Sequence, residues 1–368
     1  MKKNFKIGHL FGIDVELHYS WFLIFAIIGY GLSKDFYPYF YPGFSESTYW
    51  IMGFVSSFLL FFSVLFHEFM HSLVAKNNNI PVDKITLFLF GGIAQIHEKD
   101  MNPGKEIKIA IAGPLASIWL GLLFMLIYKV APNIYPVIIS SYLLRLNFIL
   151  AFFNLIPGFP LDGGRVFRAI VWKITKNLKK ATKMASVAGK TFGAFLGVAG
   201  AVEVLTIGDP GGIWYIILGA FIFFLAEMSY EQMALKDILE KIRVADVVNT
   251  AFFTENPDMT VEETIKKYAK KKTDSILIEK NKEIIGVLDL NNLQKLPQTS
   301  TEVTKIGDIC NKDFFKATPK QGLYNIFIKM LEKKLPLVPV YKQGKLFGVV
   351  ERGYIIRYLK FKLKFSPE

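Results

Sequence analysis

Long uncharged apolar runs constrain the fold of this chain more than any other feature of its sequence. Each run approaches or exceeds the length of about 20 residues that an α-helix needs to cross a bilayer. Hydrophobic residues make up 52% of the 368 residues, which is too apolar for a purely soluble protein of this size. We therefore predict six transmembrane helices, over residues 17–33, 48–74, 107–128, 137–156, 185–206 and 213–226.

Lysine and arginine are distributed unevenly between the loops that join these runs. The loops after the first, third and fifth runs carry only Lys34, only Lys129 and no cation, respectively. The loop after the second run carries four lysines, and the loop after the fourth is rich in both lysine and arginine. Cytoplasmic loops of membrane proteins are enriched in these cations, so we predict that both termini are cytoplasmic. This distribution also accounts for the net charge of +13, and we predict no nucleic-acid partner.

A short segment between the second and third runs, residues 84–97, has a different pattern. Two strand-like stretches, 85–90 and 93–96, lie on either side of Gly91 and Gly92. Paired glycines between short apolar stretches are typical of a hairpin. We predict a small β-hairpin here, because the segment is too short to span a bilayer.

The second apolar run ends in a pair of histidines, in the order His67-Glu68-Phe69-Met70-His71. Positions four apart lie on one face of a helix, so both imidazoles can bind one ion. The pattern is that of zinc hydrolases, in which the glutamate is the general base. A chance match on a core helix is the weaker interpretation, because ionisable residues at membrane depth are costly. We predict one zinc ion bound by His67 and His71, with Glu68 as the base.

Catalytic zinc takes three protein ligands and leaves a fourth position for water. Asp162 is our candidate for the third ligand, because it follows the fourth run at the membrane level of the histidines. Spacing alone would equally allow Asp162 to cap the helical segment after it, and His97 or Glu98 could bind the metal instead. The single cysteine, Cys310, excludes a cysteine site. Asn154 could hydrogen-bond a substrate carbonyl or merely another helix.

The composition changes from apolar to charged near residue 236, and two similar halves follow. Each half contains a helical stretch and then two strands, and the pattern recurs after about 60 residues, which indicates a duplicated α/β unit. We predict a cytoplasmic repeat domain after the membrane domain. The predicted boundaries are 1–230 for the membrane domain, 231–242 for a linker, and 243–300 and 301–364 for the two repeats.

Four motifs, taken together and in order, resemble those of the site-2 protease family of intramembrane zinc metalloproteases. They are His67-Glu-Phe-Met-His71, Gly91-Gly-Ile-Ala94, Gly113-Pro-Leu-Ala116 and Asn154-Leu-Ile-Pro-Gly-Phe-Pro-Leu-Asp-Gly-Gly-Arg165. The resemblance implies that Asp162 is the third zinc ligand, that Asn154 assists the substrate carbonyl and that the hairpin is membrane-associated. It also implies a transmembrane protein substrate within the lipid bilayer. Ser117 stands where many members have asparagine, a difference that we expect to affect packing more than chemistry.

The repeated C-terminal unit resembles a pair of CBS domains. Nucleotide-binding CBS repeats usually end in a Gly-x-x-Thr/Ser-x-x-Asp pattern, and the aspartate holds ribose hydroxyls. The corresponding positions here are Asn292 and Tyr354, so adenine-nucleotide binding is doubtful. We expect instead a regulatory or packing role, including a possible homodimer formed through the CBS domains.

The sequence therefore predicts a multi-pass α-helical membrane protein: six transmembrane helices, a small membrane-associated β-hairpin and a cytoplasmic α/β tandem CBS domain. A transporter or channel with a CBS tail is the alternative, since such proteins also carry buried charges. Against it, the two halves of the membrane domain show no inverted repeat. Arg145 interrupts the fourth run, and Glu203 and Glu227 are both candidates for its partner.

Overall fold

The fold is described from a computed structural model, over residues 4–89, 91–96, 101–271, 273–295 and 301–365. Contacts between residues divide the chain into two compact units, Met1–Glu231 and Gln232–Glu368. The first unit contains the long apolar helices and the second contains the charged repeats. The two units are described separately.

The first unit begins with two antiparallel strands, β1 (Asn4–Leu10) and β2 (Ile13–His18). In β2 the apolar residues Ile13, Val15 and Leu17 are buried and alternate with polar residues, which is the two-residue period of a strand. We had predicted that a transmembrane run begins at Leu17. That prediction is wrong at its start, because the alternating pattern of β2 extends through His18.

A helical segment follows β2 and leads into the longest helix of the chain. Helix α1 (Ser20–Gly31) continues through one π-helical turn (Leu32–Phe36) into α2 (Tyr37–Phe40). Helix α3 (Glu46–Asn77) then begins at Ser45, whose hydroxyl accepts a hydrogen bond from the backbone N–H of Thr48. This N-cap satisfies a donor that the first helical turn leaves free.

Strands β3 (Val82–Phe88) and β4 (Gly91–Ile96) pair antiparallel over the predicted hairpin segment. Gly91 has a φ of 123°, a conformation that L side chains rarely adopt, which explains a glycine at this position. Strand β3 also pairs parallel with β2, so that the hairpin belongs to a four-stranded sheet in the order β1-β2-β3-β4. Its buried face packs on α3 through Phe69, and β4 is an edge strand.

Five more helices complete the first unit. They are α4 (Pro103–Val130), α5 (Ile134–Asn154), α6 (Asp162–Thr175), α7 (Leu178–Val202) and α8 (Gly211–Glu240).

Five helical segments among the described residues are long and apolar enough to cross a membrane. They are α3, α4, α5, α8 and the segment Leu178–Thr206, which extends α7. The second to sixth apolar runs predicted from the sequence thus correspond to helices with the length and apolar character that a membrane crossing requires.

Glycines bring α7 and α8 into backbone contact. A Cβ atom at Gly193 would lie 2.6 Å from the carbonyl oxygen of Gly219, and one at Gly200 would lie 2.3 Å from that of Gly212. Small residues allow two helices to approach closely in this way. Gly189 differs, because its nearest neighbour is the carbonyl oxygen of Phe159 in the loop before α6.

The second unit contains two α/β repeats, and the helices and strands predicted from the sequence are confirmed. The first repeat contains β5 (Thr254–Glu255), α9 (Val261–Tyr268), β6 (Ser275–Lys280) and β7 (Glu283–Asp289). The second contains α10 (Ile306–Ile309), α11 (Leu323–Glu332), β8 (Leu337–Lys342), β9 (Lys345–Glu351) and α12 (Arg352–Phe365).

Each repeat contributes to a buried apolar core. One cluster contains Leu277 and Val287 of the first repeat beside Val338 and Val350 of the second, so the two repeats share it. Helix α8 continues to Glu240 and so occupies most of the segment 231–242 that we predicted as a linker. The domain boundaries themselves stay a prediction.

Substituting Gly193 by alanine should destabilise the protein. The added methyl group would clash with the backbone of α8, and overpacking of this kind costs about 1–3 kcal/mol. Gly197→Ala, one helical turn away, is the matched control because a Cβ atom at Gly197 has no neighbour within 4 Å. Thermal unfolding in detergent measures both variants, and equal melting temperatures would contradict a close α7–α8 contact.

Candidate metal centre

His67 and His71 lie on one face of α3, as their four-residue spacing predicts. Both side chains are buried, with 4% and 3% of their surface exposed. Their Nε2 atoms are 3.1 Å apart. The two imidazoles therefore point at a common position inside the helix bundle.

Helix α4 fixes the orientation of both rings. The carbonyl oxygen of Ile109 lies 2.6 Å from Nδ1 of His71, and the hydroxyl of Ser117 lies 2.9 Å from Nδ1 of His67. A carbonyl oxygen can only accept a hydrogen bond, so Nδ1 of His71 carries the proton. In the neutral ring, Nε2 of His71 then presents a lone pair to the common position.

Asp162 is the first residue of α6 and completes the cluster. Its Oδ2 atom is 3.1 Å from Nε2 of His67 and 3.1 Å from Nε2 of His71.

Two glycines after Asp162 allow α6 to begin close to the preceding loop. A Cβ atom at Gly163 would lie 2.2 Å from the carbonyl oxygen of Leu155, and one at Gly164 would lie 2.3 Å from the carbonyl carbon of Gly158. Any side chain at these positions would push α6 away from the loop. The glycines therefore set the position of Asp162.

The three atoms form a candidate donor set for a metal ion. They come from His67, His71 and Asp162 and lie within 4.8 Å of one another. Two imidazole nitrogens and a carboxylate oxygen are typical ligands of catalytic zinc, and their spacing suits one ion with bonds of about 2 Å. Gly113 of α4 leaves room beside them, because a Cβ atom there would lie 2.1 Å from Nε2 of His71 and 2.5 Å from that of His67.

Glu68 follows His67 directly but does not belong to the donor set. Its side chain is half-buried and packs against β4, since a Cβ atom at Gly92 would lie 2.4 Å from Cγ of Glu68. The carboxyl group thus lies at the edge strand of the sheet, where the backbone N–H of Ala94 donates a hydrogen bond to it.

Asn154 lies at the end of α5 and is not part of the cluster. Its side-chain amide donates a hydrogen bond to the carbonyl oxygen of Leu150, one turn earlier in the same helix, at 2.9 Å. His97 and Glu98, the alternatives for the third ligand, lie outside the described residues. Asp162 therefore meets the two histidines, whereas Asn154 does not.

Two contacts of α4 with the histidines were not predicted from the sequence. We expected Ser117 to affect packing more than chemistry, but its hydroxyl contacts the ring of His67. The contact of Ile109 could not be predicted from the type of its side chain, because the contact uses its backbone carbonyl. The family motif Gly113-Pro-Leu-Ala116 and Ser117 after it were the sequence signals that marked this part of α4.

The predicted partners of Arg145 also need correction. Glu227 instead pairs with Lys190 of α7, at 2.5 Å. Arg145 itself is exposed on α5, and no ion pair to it is found within the part of the chain that the structure describes. Glu227 thus forms an ion pair between α7 and α8.

A buried His-His-Asp cluster, formed within a group of membrane-length helices, defines a metal-dependent hydrolase of the intramembrane class. Comparisons with known proteins agree. The model of Peptidase family M50 matches residues 55–137 and 133–198, and that of the CBS domain matches 244–297 and 306–361.

Two relatives match the chain over most of its length. The protein sll0528 of Synechocystis sp., assigned by name to the zinc metalloproteases, is 32% identical over 98% of this chain and 96% of its own. Zinc metalloprotease MJ0392 of Methanocaldococcus jannaschii is 29% identical over 97% and 96%, respectively. A solved site-2 protease structure from the same archaeon is 31% identical, covers 62% of this chain and 95% of its own, and has a TM-score of 0.42.

The chain belongs to Peptidase family M50, the site-2 proteases. It is an intramembrane zinc metalloprotease with tandem CBS domains.

Substituting Gly113 by alanine should abolish zinc binding, because the new methyl group would occupy the space beside both Nε2 atoms. Gly104→Ala in the same helix is the matched control, since a Cβ atom there would have only an ordinary contact of 3.5 Å with Asn102. Zinc content of the purified, folded proteins measures the effect. Stoichiometric zinc in Gly113→Ala would show that the metal lies elsewhere.

Proposed function

We propose that this protease cleaves peptide bonds within or beside transmembrane segments of other membrane proteins, with His67, His71 and Asp162 as zinc ligands and Glu68 as general base. The observation that carries this proposal is the convergence of three ligand atoms next to a carboxyl group that is not one of them. Three ligands leave a coordination position for water, which distinguishes a catalytic from a structural zinc site.

In the proposed mechanism, some residues transfer protons and others orient the zinc ligands. When bound, zinc supplies a Lewis acid that polarises a carbonyl and acidifies a water molecule. Glu68 would accept a proton from the attacking water molecule and then deliver it to the departing amine, the usual double role of a positioned carboxylate. Ile109 and Ser117 hold the two imidazoles in a fixed orientation during both steps.

Strand β4 is the proposed binding site for the unwound substrate. A peptide bond within a helix is shielded by its own hydrogen bonds, so the substrate helix must open before cleavage. An extended segment can then add to the free edge of a sheet, where main-chain hydrogen bonds hold it. Glu68 packs on Gly92 of this edge strand, which would bring the bound backbone close to the base.

Asn154 is proposed to bind the substrate carbonyl. Its amide now donates to the carbonyl oxygen of Leu150, so this role requires the side chain to rotate when substrate enters. A weak bond to its own helix is a small barrier to such a rotation, because the net contribution of one hydrogen bond is about 0.5–1.5 kcal/mol.

We propose six membrane crossings with cytoplasmic termini. The first crossing would be the helical segment from Ser20 to Phe40, which joins α1 to α2 through a π-helical turn. The remaining five are the helices of sufficient length and apolar character. The β3–β4 hairpin would then lie at the cytoplasmic face of the membrane, at the level of the metal ligands.

The CBS domains are proposed to regulate the protease or to join two copies of it. Asn292 and Tyr354 replace the aspartates that hold ribose in nucleotide-binding repeats. Tyr354 is also exposed, at 44% of its surface, so it does not close a pocket. A role in packing between domains or copies fits these residues better than tight nucleotide binding.

Replacing Glu68 by glutamine should leave about one zinc per chain but lower turnover by at least ~10²-fold, since loss of general acid–base catalysis has effects of that size. Met70→Leu, a volume-conserving change on the same helix, provides the control. The measurements are zinc content and cleavage of a membrane-protein substrate in detergent micelles. Cleavage at the wild-type rate by Glu68→Gln would rule out this mechanism.

Adenine nucleotides should bind the full-length protein weakly, and any binding should fall steeply with salt. The ribose-holding aspartates are replaced, so the remaining attraction would come from lysines near the surface, which ions screen. Isothermal titration with ATP and AMP at low and moderate ionic strength tests this. Micromolar binding that persists at the higher salt concentration would instead identify the CBS domains as a nucleotide sensor.

A further inference from the structure

A buried ion pair joins α4 to α6 outside the metal ligand set. Glu106 lies in the first turn of α4 and has 0% of its surface exposed. Nε of Arg168 donates a hydrogen bond to Oε1 of Glu106 at 2.7 Å, and Nη2 reaches the same oxygen. The guanidinium group is itself largely buried, at 12% exposure.

Stability alone does not explain this pair. A glutamate in the first turn of a helix gains from the helix dipole while it remains in water. Burying two charges removes their hydration, and apolar residues of similar volume are often as stable as a buried pair. The burial of Glu106 therefore points to a role in fixing geometry.

Glu106 continues a stripe of α4 residues that serve the metal centre. The stripe has the helical spacing 106, 109, 113 and 117, so its members share one face. Ile109 and Ser117 contact the Nδ1 atoms of His71 and His67, respectively. Gly113 leaves space beside the Nε2 atoms of both rings. Glu106 is the member that reaches α6 instead of α3.

Arg168 links this stripe to the segment that carries Asp162. Its guanidinium lies over the ring of Phe159, 5.1 Å from the centroid. Phe159 is buried in the loop that leads into Asp162, and its backbone N–H donates to the carbonyl oxygen of Ala185 at 3.1 Å. Arg168 thus contacts both α4, which orients the histidines, and the loop that positions Asp162.

We propose that Glu106 and Arg168 are positioning residues that fix Asp162 at bonding distance from the two histidines. The proposal rests on the proposed role of Asp162 as a ligand. The histidines come from α3, which α4 supports, whereas the carboxylate comes from α6. Ligands on different helices must be held to within about 0.5 Å for tight binding, and the Glu106–Arg168 pair supplies a direct bond between the two supports.

Replacing Glu106 by glutamine should weaken zinc binding by about 10- to 100-fold, the range typical of residues that support metal ligands. Competition with a chelator of known affinity measures the dissociation constant. The visible spectrum of the cobalt-substituted protein should change as well, because it reports the geometry of the ligands. Glu227→Gln is the matched control, since it breaks the Lys190–Glu227 pair between α7 and α8 and should leave both readouts unchanged.

Two further variants separate positioning from stability. Arg168→Met leaves the carboxylate of Glu106 buried without its guanidinium partner, and it should lower both the melting temperature and the zinc affinity. Combining it with Glu106→Gln removes the buried carboxylate charge as well, so the melting temperature should recover. The zinc affinity of the double variant should stay as low as that of Glu106→Gln alone, because both changes break one contact.

The results distinguish this inference from the ligand assignment. If Asp162→Asn keeps wild-type zinc affinity, the proposed ligand set is wrong. If Asp162→Asn loses zinc but folded Glu106→Gln keeps wild-type affinity and an unchanged cobalt spectrum, the ligand set stands and the positioning role is refuted. Recovery of zinc affinity together with the melting temperature in the double variant would also refute it, since the pair would then act through stability only.

Discussion

Three ligand atoms that repel one another are held within 3.1 Å at a buried position, and the rest of the membrane unit is arranged around this constraint. Each of the three carries a lone pair or a negative charge. A cation at their centre makes the arrangement favourable, because buried charges without partners cost several kcal/mol.

Helix α4 supplies most of that support without providing a ligand. It contacts the histidines through a hydroxyl, a carbonyl and a glycine, and it contacts α6 through Glu106. Contacts to the imidazole nitrogen that does not bind the metal fix the tautomer and the orientation of ligating imidazoles. The result is a site whose ligands come from α3 and α6 but whose geometry depends on the helix between them.

The N-terminal sheet places β4, the proposed binding site for the unwound substrate, beside this metal centre. Strands β1 and β2 pair with the β3–β4 hairpin, so four strands support the edge strand β4. An isolated two-stranded hairpin is at best marginally stable in water, and additional strands stabilise it. The contact between Glu68 and Gly92 then joins the sheet to α3 at the position where catalysis is proposed to occur.

The sequence by itself determined the apolar helices, the histidine pair and the α/β repeats, because each is a local pattern with a fixed period. Asp162 was a candidate from its position after the fourth run, and the family motif around it implied that it is a ligand. Tertiary structure decided the rest. Residues 13–18 have the alternation of a strand in their own sequence, but only the tertiary structure shows that they pair with β3. Neither Ile109 nor Ser117 shows from its own sequence that it will contact a histidine. The Glu106–Arg168 pair joins residues 62 positions apart, and only the packing of α4 against α6 brings them together.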